Sequence, residues 1–218
     1  MPLDDTVQKS DTITAKAVII TPPRFERAAI RIRGTAPYVQ HNFSAKARAQ
    51  IEATQREGSR SKKGRKRDAR DFEADYEAAK HVSKDGWCGI PAPAFRNAMI
   101  SACRTAGFAM TRAKLSVFVE ADGIDSDGRT PLVRIIGEPE PPGAPEPVRN
   151  ESGVVDLRMR PVWLNWEVIL KLRWDADQFS GGDVINLLAR AGMQVGVGEG
   201  RPDSPNSNGL GNGLWEVL

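Results

Sequence analysis

The sequence predicts an α+β fold, an antiparallel sheet with two packing helices. Period-two alternation recurs in short segments from residue 27 to the C-terminus, and two segments, 92–104 and 183–192, carry apolar residues at helical spacing. Taken along the chain these give strand, helix, strand, strand, long strand, helix, strand. With one extra hairpin that order is β-α-β-β-α-β, the ferredoxin-like (RRM-like) plan.

Residues 1–26 read as an N-terminal arm or edge strand, polar apart from the alternation Ile13, Ala15, Ala17, Ile19 and ending near Pro22-Pro23. Residues 27–218 read as a single domain; no repeat of 20–50 residues interrupts it. In Ala29-Ile30-Arg31-Ile32-Arg33-Gly34 the isoleucines face the core and Arg31 and Arg33 the open face, as a half-buried strand requires.

Residues 44–82 read as an insertion. Ser44–Arg56 and Asp71–Lys80 are polar helical pieces, and the stretch between them is basic. From Arg60 to Arg70 lie Arg60, Lys62, Lys63, Arg65, Lys66, Arg67 and Arg70 against one acid, Asp68. Such a segment buries too little apolar surface to fold alone. Its field is hidden by a net charge of only +3. Two readings stand: phosphate contact, or a solubilising patch quenched by the flanking Glu52, Glu57, Asp71, Glu73 and Asp75.

After a strand ending at Pro91, Ala92–Arg104 sets Phe95, Met99, Ile100 and Cys103 on one helical face, and Gly107 stops it. Lys114–Val119 and Leu132–Ile136 read as strands, and residues 138–150, with five prolines, as an extended loop. The even positions from Val162 to Trp174 form the longest alternation in the chain, which makes Leu164, Trp166 and Trp174 core and turns Trp163 outward as a stacking or subunit-contact candidate. Trp215 fits either face. Asp183–Gly192 is an amphipathic helix with Val184, Leu187 and Leu188 inward and Gly192 as its stop. Glycines then dominate to Gly213, before a last strand over 214–218.

Two segments carry a family resemblance. Gly89-Ile90-Pro91-Ala92-Pro93-Ala94-Phe95-Arg96-Asn97-Ala98 resembles the "IPGSSLKGALR" segment of the RAMP superfamily, the RNA-binding backbone subunits of CRISPR effector complexes. Val195-Gly196-Val197-Gly198 with Asn208-Gly209-Leu210-Gly211-Asn212-Gly213 is similar to that superfamily's glycine-rich loop before the last strand. The family's lysine is Arg96 here, and Asn97 replaces the glycine after it. The chain as a whole also resembles phage-encoded proteins, and the fold by itself implies no CRISPR role.

The resemblance implies a protein that holds single-stranded RNA or DNA by its sugar-phosphate backbone and assembles along the strand as a homo-oligomer or filament. Glycine amides at Gly196, Gly198, Gly209, Gly211 and Gly213 can approach phosphates closely. Arg201, Arg96, Arg31 and Arg33 would add charge, Arg60, Lys62, Lys63, Arg65, Lys66 and Arg67 more, and Tyr38 or Trp87 would stack on a base. The rival reading of 195–213 is a plain flexible turn.

Other classes are weighed beside this one. Cys88 and Cys103 lack the spacing of a zinc or redox motif, and with only His41 and His81 no His-rich metal site is expected. No cofactor and no catalytic residue is assigned. An RNA endonuclease would have to draw on His41 near Lys46, or on Asp122, Asp125 and Asp127, which also read as ordinary turn chemistry. A structural protein of a virion or complex, oligomerising without nucleic acid, is the main alternative. No apolar run reaches the ~20 residues that cross a bilayer, and Met1-Pro-Leu-Asp-Asp lacks a secretion pattern. The expected location is the cytoplasm, that of the host cell for a phage-encoded protein.

Overall fold

The structure, a computed structural model, describes residues 20–42, 71–149, 155–204 and 210–218. Its main sheet contains β1 (Phe25–Gly34), β4 (Val117–Glu120), β10 (Glu167–Asp175) and β11 (Trp215–Val217), in the order β11-β1-β10-β4 with every pairing antiparallel. The fold is therefore α+β. Two long helices, α2 (Ala92–Ala106) and α4 (Gly181–Gln194), cover one face of this sheet.

The covered face follows from the alternation. Ile32, Val168, Leu170 and Leu172 are fully buried and Trp174 nearly so, while Arg31, Arg33, Ile169 and Lys171 stand on the other side. From α2, Phe95, Met99, Ile100 and Cys103 enter the core; from α4, Val184, Leu187, Leu188 and Ala191 do. Each such Val, Leu, Ile, Phe or Met side chain contributes about 1.5–3 kcal/mol on leaving water. Trp215 of β11 is buried edge-on to Phe95, ring centroids 5.6 Å apart. Ser180 starts α4 with a capping box in which its hydroxyl accepts from the Asp183 N–H and its own N–H donates to the Asp183 carboxylate.

Gly192 does not stop α4. The helix continues to Gln194, and Gly192 is where it crosses β11: a Cβ there would sit 2.3 Å from the Trp215 carbonyl oxygen. Close helix–strand packing, not termination, requires this glycine.

Two strand expectations and one loop expectation differ from the structure. Lys114–Ser116 is the last turn of α3 (Met110–Ser116), and the strand begins only at Val117. Ala113, Ser116 and Val117 point inward at spacings of three and four, a helical pattern that the short alternation imitated. The long alternating run over 162–174 divides between β9 (Val162–Trp163) and β10, with β8 (Val155–Arg158) before it, and Leu164, between β9 and β10, is exposed. The Pro-rich loop ends in a strand, β7 (Glu146–Arg149), which pairs antiparallel with β8.

Smaller sheets flank the main one. β3 (Gly89–Pro91) and β5 (Gly123–Ile124) pair on either side of β6 (Pro131–Arg134), the extra hairpin. β2 (Tyr38–Val39) pairs with β9, which buries Trp163 completely against the Tyr38 ring at 5.5 Å between centroids. Trp163 is therefore a core residue, contrary to its parity in the longer run. The bend at 164–165 reverses which side of the chain meets the interior.

Of the insertion, the structure describes Asp71–Val82, with α1 (Phe72–Ala78) capped by the Asp71 side chain. The helix expected at 44–56 and the basic stretch lie outside the described residues. The two ends of the insertion are fastened together. The Asn42 N–H donates to the Ala79 carbonyl at 2.9 Å, and the His81 N–H to the Gln40 side chain at 2.8 Å. Gln40 is buried and donates in turn to the Gly89 carbonyl and the Tyr38 hydroxyl, and the buried His81 Nδ1 meets the Asp125 carboxylate. A buried network of this kind is stable only when its members are satisfied.

Candidate functional site

The segments that carried the resemblance, about a hundred residues apart, meet in space. Ala94, Asn97, Ala98 and Ser101 of α2 and Val195–Gly198, Arg201 and Asp203 of the glycine-rich loop line one cavity of about 310 Å³. Asn97 is exposed at its mouth, and the Arg201 guanidinium donates to the Gly198 carbonyl at 3.2 Å. Arg104 of α2 pairs with Asp203.

The glycines mostly serve the loop's own packing. The Gly196 and Gly213 N–H groups donate to the Ala191 and Pro37 carbonyls, so neither amide is offered to a ligand. At Gly213, with φ +67°, a Cβ would lie 1.8 Å from the Val197 carbonyl oxygen. At Gly198 it would meet the Val39 carbonyl oxygen at 2.5 Å and the Tyr38 ring. Gly211 differs, because a Cβ there would have no neighbour within 4 Å. Gly209 lies outside the described residues, as do Arg60, Lys62, Lys63, Arg65, Lys66 and Arg67.

Arg96 does not face the cavity as a free cation. It donates to the Val117 carbonyl at 2.9 Å and to the Lys114 carbonyl, tying α2 to the start of β4. Tyr38 is buried, and burial raises its phenol pKa, so it offers no stacking surface. Trp87 is half-buried, its ring against Gly89 and Gly123 and the Arg134 guanidinium 6.0 Å from its centroid.

On the open face Arg31 and Arg33 stand outward as expected, each with a carboxylate. Arg31 meets Glu167 at 2.5 Å and Arg33 meets Glu216 at 2.6 Å. Arg27 meets Glu120 at 3.0 Å and Lys171 meets Asp122 at 2.8 Å, which makes this face a ladder of ion pairs. One corner breaks the pattern: Arg173 of β10 lies between the rings of Phe25 and Phe118, 4.8 Å from each centroid. Nothing in the sequence marks this clip, because its members are adjacent only across three strands.

A second cluster gathers at the loop. Glu199 lies between Gly198 and Gly200, and its N–H donates to the Val39 carbonyl at 2.9 Å. Its carboxylate accepts from Arg160 Nε at 2.8 Å, with an Arg158 nitrogen at 3.8 Å and His41 Nδ1 at 3.7 Å. Arg158 also meets Asp156 at 3.2 Å. Burial and then the Arg160 guanidinium lower the His41 pKa, against the Glu199 carboxylate, while Arg158 and His81 lower it further. Its sequence signal is Arg158-Met159-Arg160, the same spacing as Arg31 and Arg33.

The carboxylates that an endonuclease would draw on have local tasks. Asp125 holds His81, Asp122 accepts from the Arg134 N–H and pairs with Lys171, and Asp127 accepts from the Arg129 N–H. Among the described residues no cluster of three or more His, Cys, Asp or Glu could hold a metal ion, and no helix is long and apolar enough to cross a membrane. Burial raises both thiols, Cys88 and Cys103, away from a reactive thiolate. No protein-family model matches the chain, and no curated protein matches its sequence.

Proposed function

We propose that this protein binds single-stranded nucleic acid, RNA or DNA, by its sugar-phosphate backbone, and that it holds the strand without cutting it. One observation carries the reading: the basic insertion is rooted at the glycine-rich loop. Residues 39–42 lead into it, and of these Val39 accepts the Glu199 N–H while His41 faces the Glu199 carboxylate. The insertion therefore leaves the described fold at residue 42, beside the place where Arg158 and Arg160 converge on Glu199.

A ferredoxin-like, RAMP-like domain is the architecture we assign. The order β11-β1-β10-β4, with α2 and α4 as the crossovers, supports it: those strands are fourth, first, third and second in that plan. Binding through charge and backbone carries little base information, so weak sequence selectivity is expected. Assembly along the strand belongs to the same proposal.

A second reading rests on the β7–β8 hairpin, whose Val155 and Leu157 are exposed. An apolar arm of this kind suits a protein that grips copies of itself in a virion or complex without nucleic acid. Fluorescence anisotropy with labelled single-stranded RNA, single-stranded DNA and duplex DNA separates the two. The binder shows salt-sensitive affinity for single strands above duplex; absence of binding to all three at low salt abandons it for the assembly protein.

A further inference from the structure

We infer that Glu199 is an internal stand-in for a backbone phosphate, and that Arg158, Arg160 and His41 form a phosphate subsite from which the incoming strand displaces it. The inference rests on the nucleic-acid reading above and adds residues to it.

The argument begins with burial. The Arg158 and Arg160 side chains are only 21% and 12% exposed, against 55% and 54% for Arg31 and Arg33 on the open face. A guanidinium withdrawn from water needs an anion, and its planar fork suits carboxylate and phosphate alike. Here two such forks and an imidazole converge on one carboxylate, which is itself 26% exposed and so reachable from solvent. Asp156 engages Arg158 at 3.2 Å, and Arg160 is the nearer of the two arginines to Glu199, at 2.8 Å.

The geometry permits exchange without refolding. The Glu199 backbone is fixed at both ends, its N–H on the Val39 carbonyl and its carbonyl accepting from the Asn212 amide at 3.3 Å. Only the side chain has to swing out for a phosphodiester oxygen to take its place on Arg160. The position adjoins the root of the basic insertion, where a bound strand is expected to pass.

The test compares the wild type with Glu199→Gln, Arg158→Ala and Arg160→Ala, measuring affinity for a labelled single-stranded oligonucleotide across a salt series. Removing the competing charge should tighten binding about threefold, in line with a partly exposed ion pair. Each arginine removal should weaken it about tenfold, as for a charge-assisted contact, and lower the slope of log affinity on log salt by about one. Arg160→Lys, which keeps the charge, serves if the alanine variant does not fold. Wild-type binding that Glu199→Gln leaves unchanged or weakens would overturn the subsite while sparing the wider reading. If the wild type binds no oligonucleotide, the wider reading fails, and inorganic phosphate decides the subsite separately. A phosphate-dependent shift of the His41 ring resonances, larger in Glu199→Gln and lost in Arg160→Ala, supports it; no shift overturns it.

Discussion

Two Arg-x-Arg pairs in this chain have opposite settings. Arg31 and Arg33 stand on the open sheet face, half exposed, each matched to its own carboxylate across a strand pair. Arg158 and Arg160 sit largely buried behind the glycine-rich loop and converge on Glu199. Spacing alone does not distinguish them. What differs is what lies across from each arginine, and that is set by register and by loop packing. On the open face the register places Glu167 opposite Arg33 and Glu216 on its other side, so that the face neutralises itself.

The largest expected effect tests whether the loop region is a rigid frame. Gly213→Ala forces a Cβ into the Val197 carbonyl and should cost on the order of 3 kcal/mol or more in urea unfolding, whereas Gly211→Ala, with open space around it, should cost about 1 kcal/mol from its left-handed backbone alone. Equal costs would mean that the loop does not pack as described.

Next comes the open face. Arg31→Ala and Arg33→Ala each break an exposed ion pair, worth about 0–1 kcal/mol, and should change strand affinity less than about twofold. A large loss of affinity would return the sheet face to the centre of the site.

The smallest effect concerns pH. His41 has its folded pKa below the ordinary value near 6.5, so the fold prefers the neutral ring. Its contribution to stability is complete above about pH 6.5 and is lost as pH falls from there through the lowered folded pKa. Thermal midpoints should therefore begin to fall below about pH 6.5, less steeply in His41→Gln. An identical profile in the variant would show that other groups set the slope.

Much of the fold was legible. The helical faces of Phe95–Cys103 and Val184–Leu188 and the strand parity of Ile32 and of Val168–Trp174 are repeating patterns with a single physical solution. What failed was local. The run from 162 to 174 keeps its alternation on paper, but the bend between β9 and β10 exposes Leu164 and buries Trp163. The site was legible only as composition. Glycines mark the loop, yet whether a glycine opens toward a ligand or admits a neighbouring carbonyl depends on partners far along the chain, as Pro37 and Val39 are. Glu199, the residue the subsite turns on, shows nothing unusual in sequence.

The most direct test of the central claim is the salt dependence of single-strand binding by the wild type and by a variant with Lys62, Lys63, Arg65, Lys66 and Arg67 all changed to Ala. If the insertion contacts roughly six phosphates, log affinity should fall against log salt with a slope of about −4 in the wild type. The variant should remain folded, bind more weakly and show a much shallower slope. Equal affinity and equal slope in the two proteins would contradict the claim that the basic insertion and the loop at its root hold the strand.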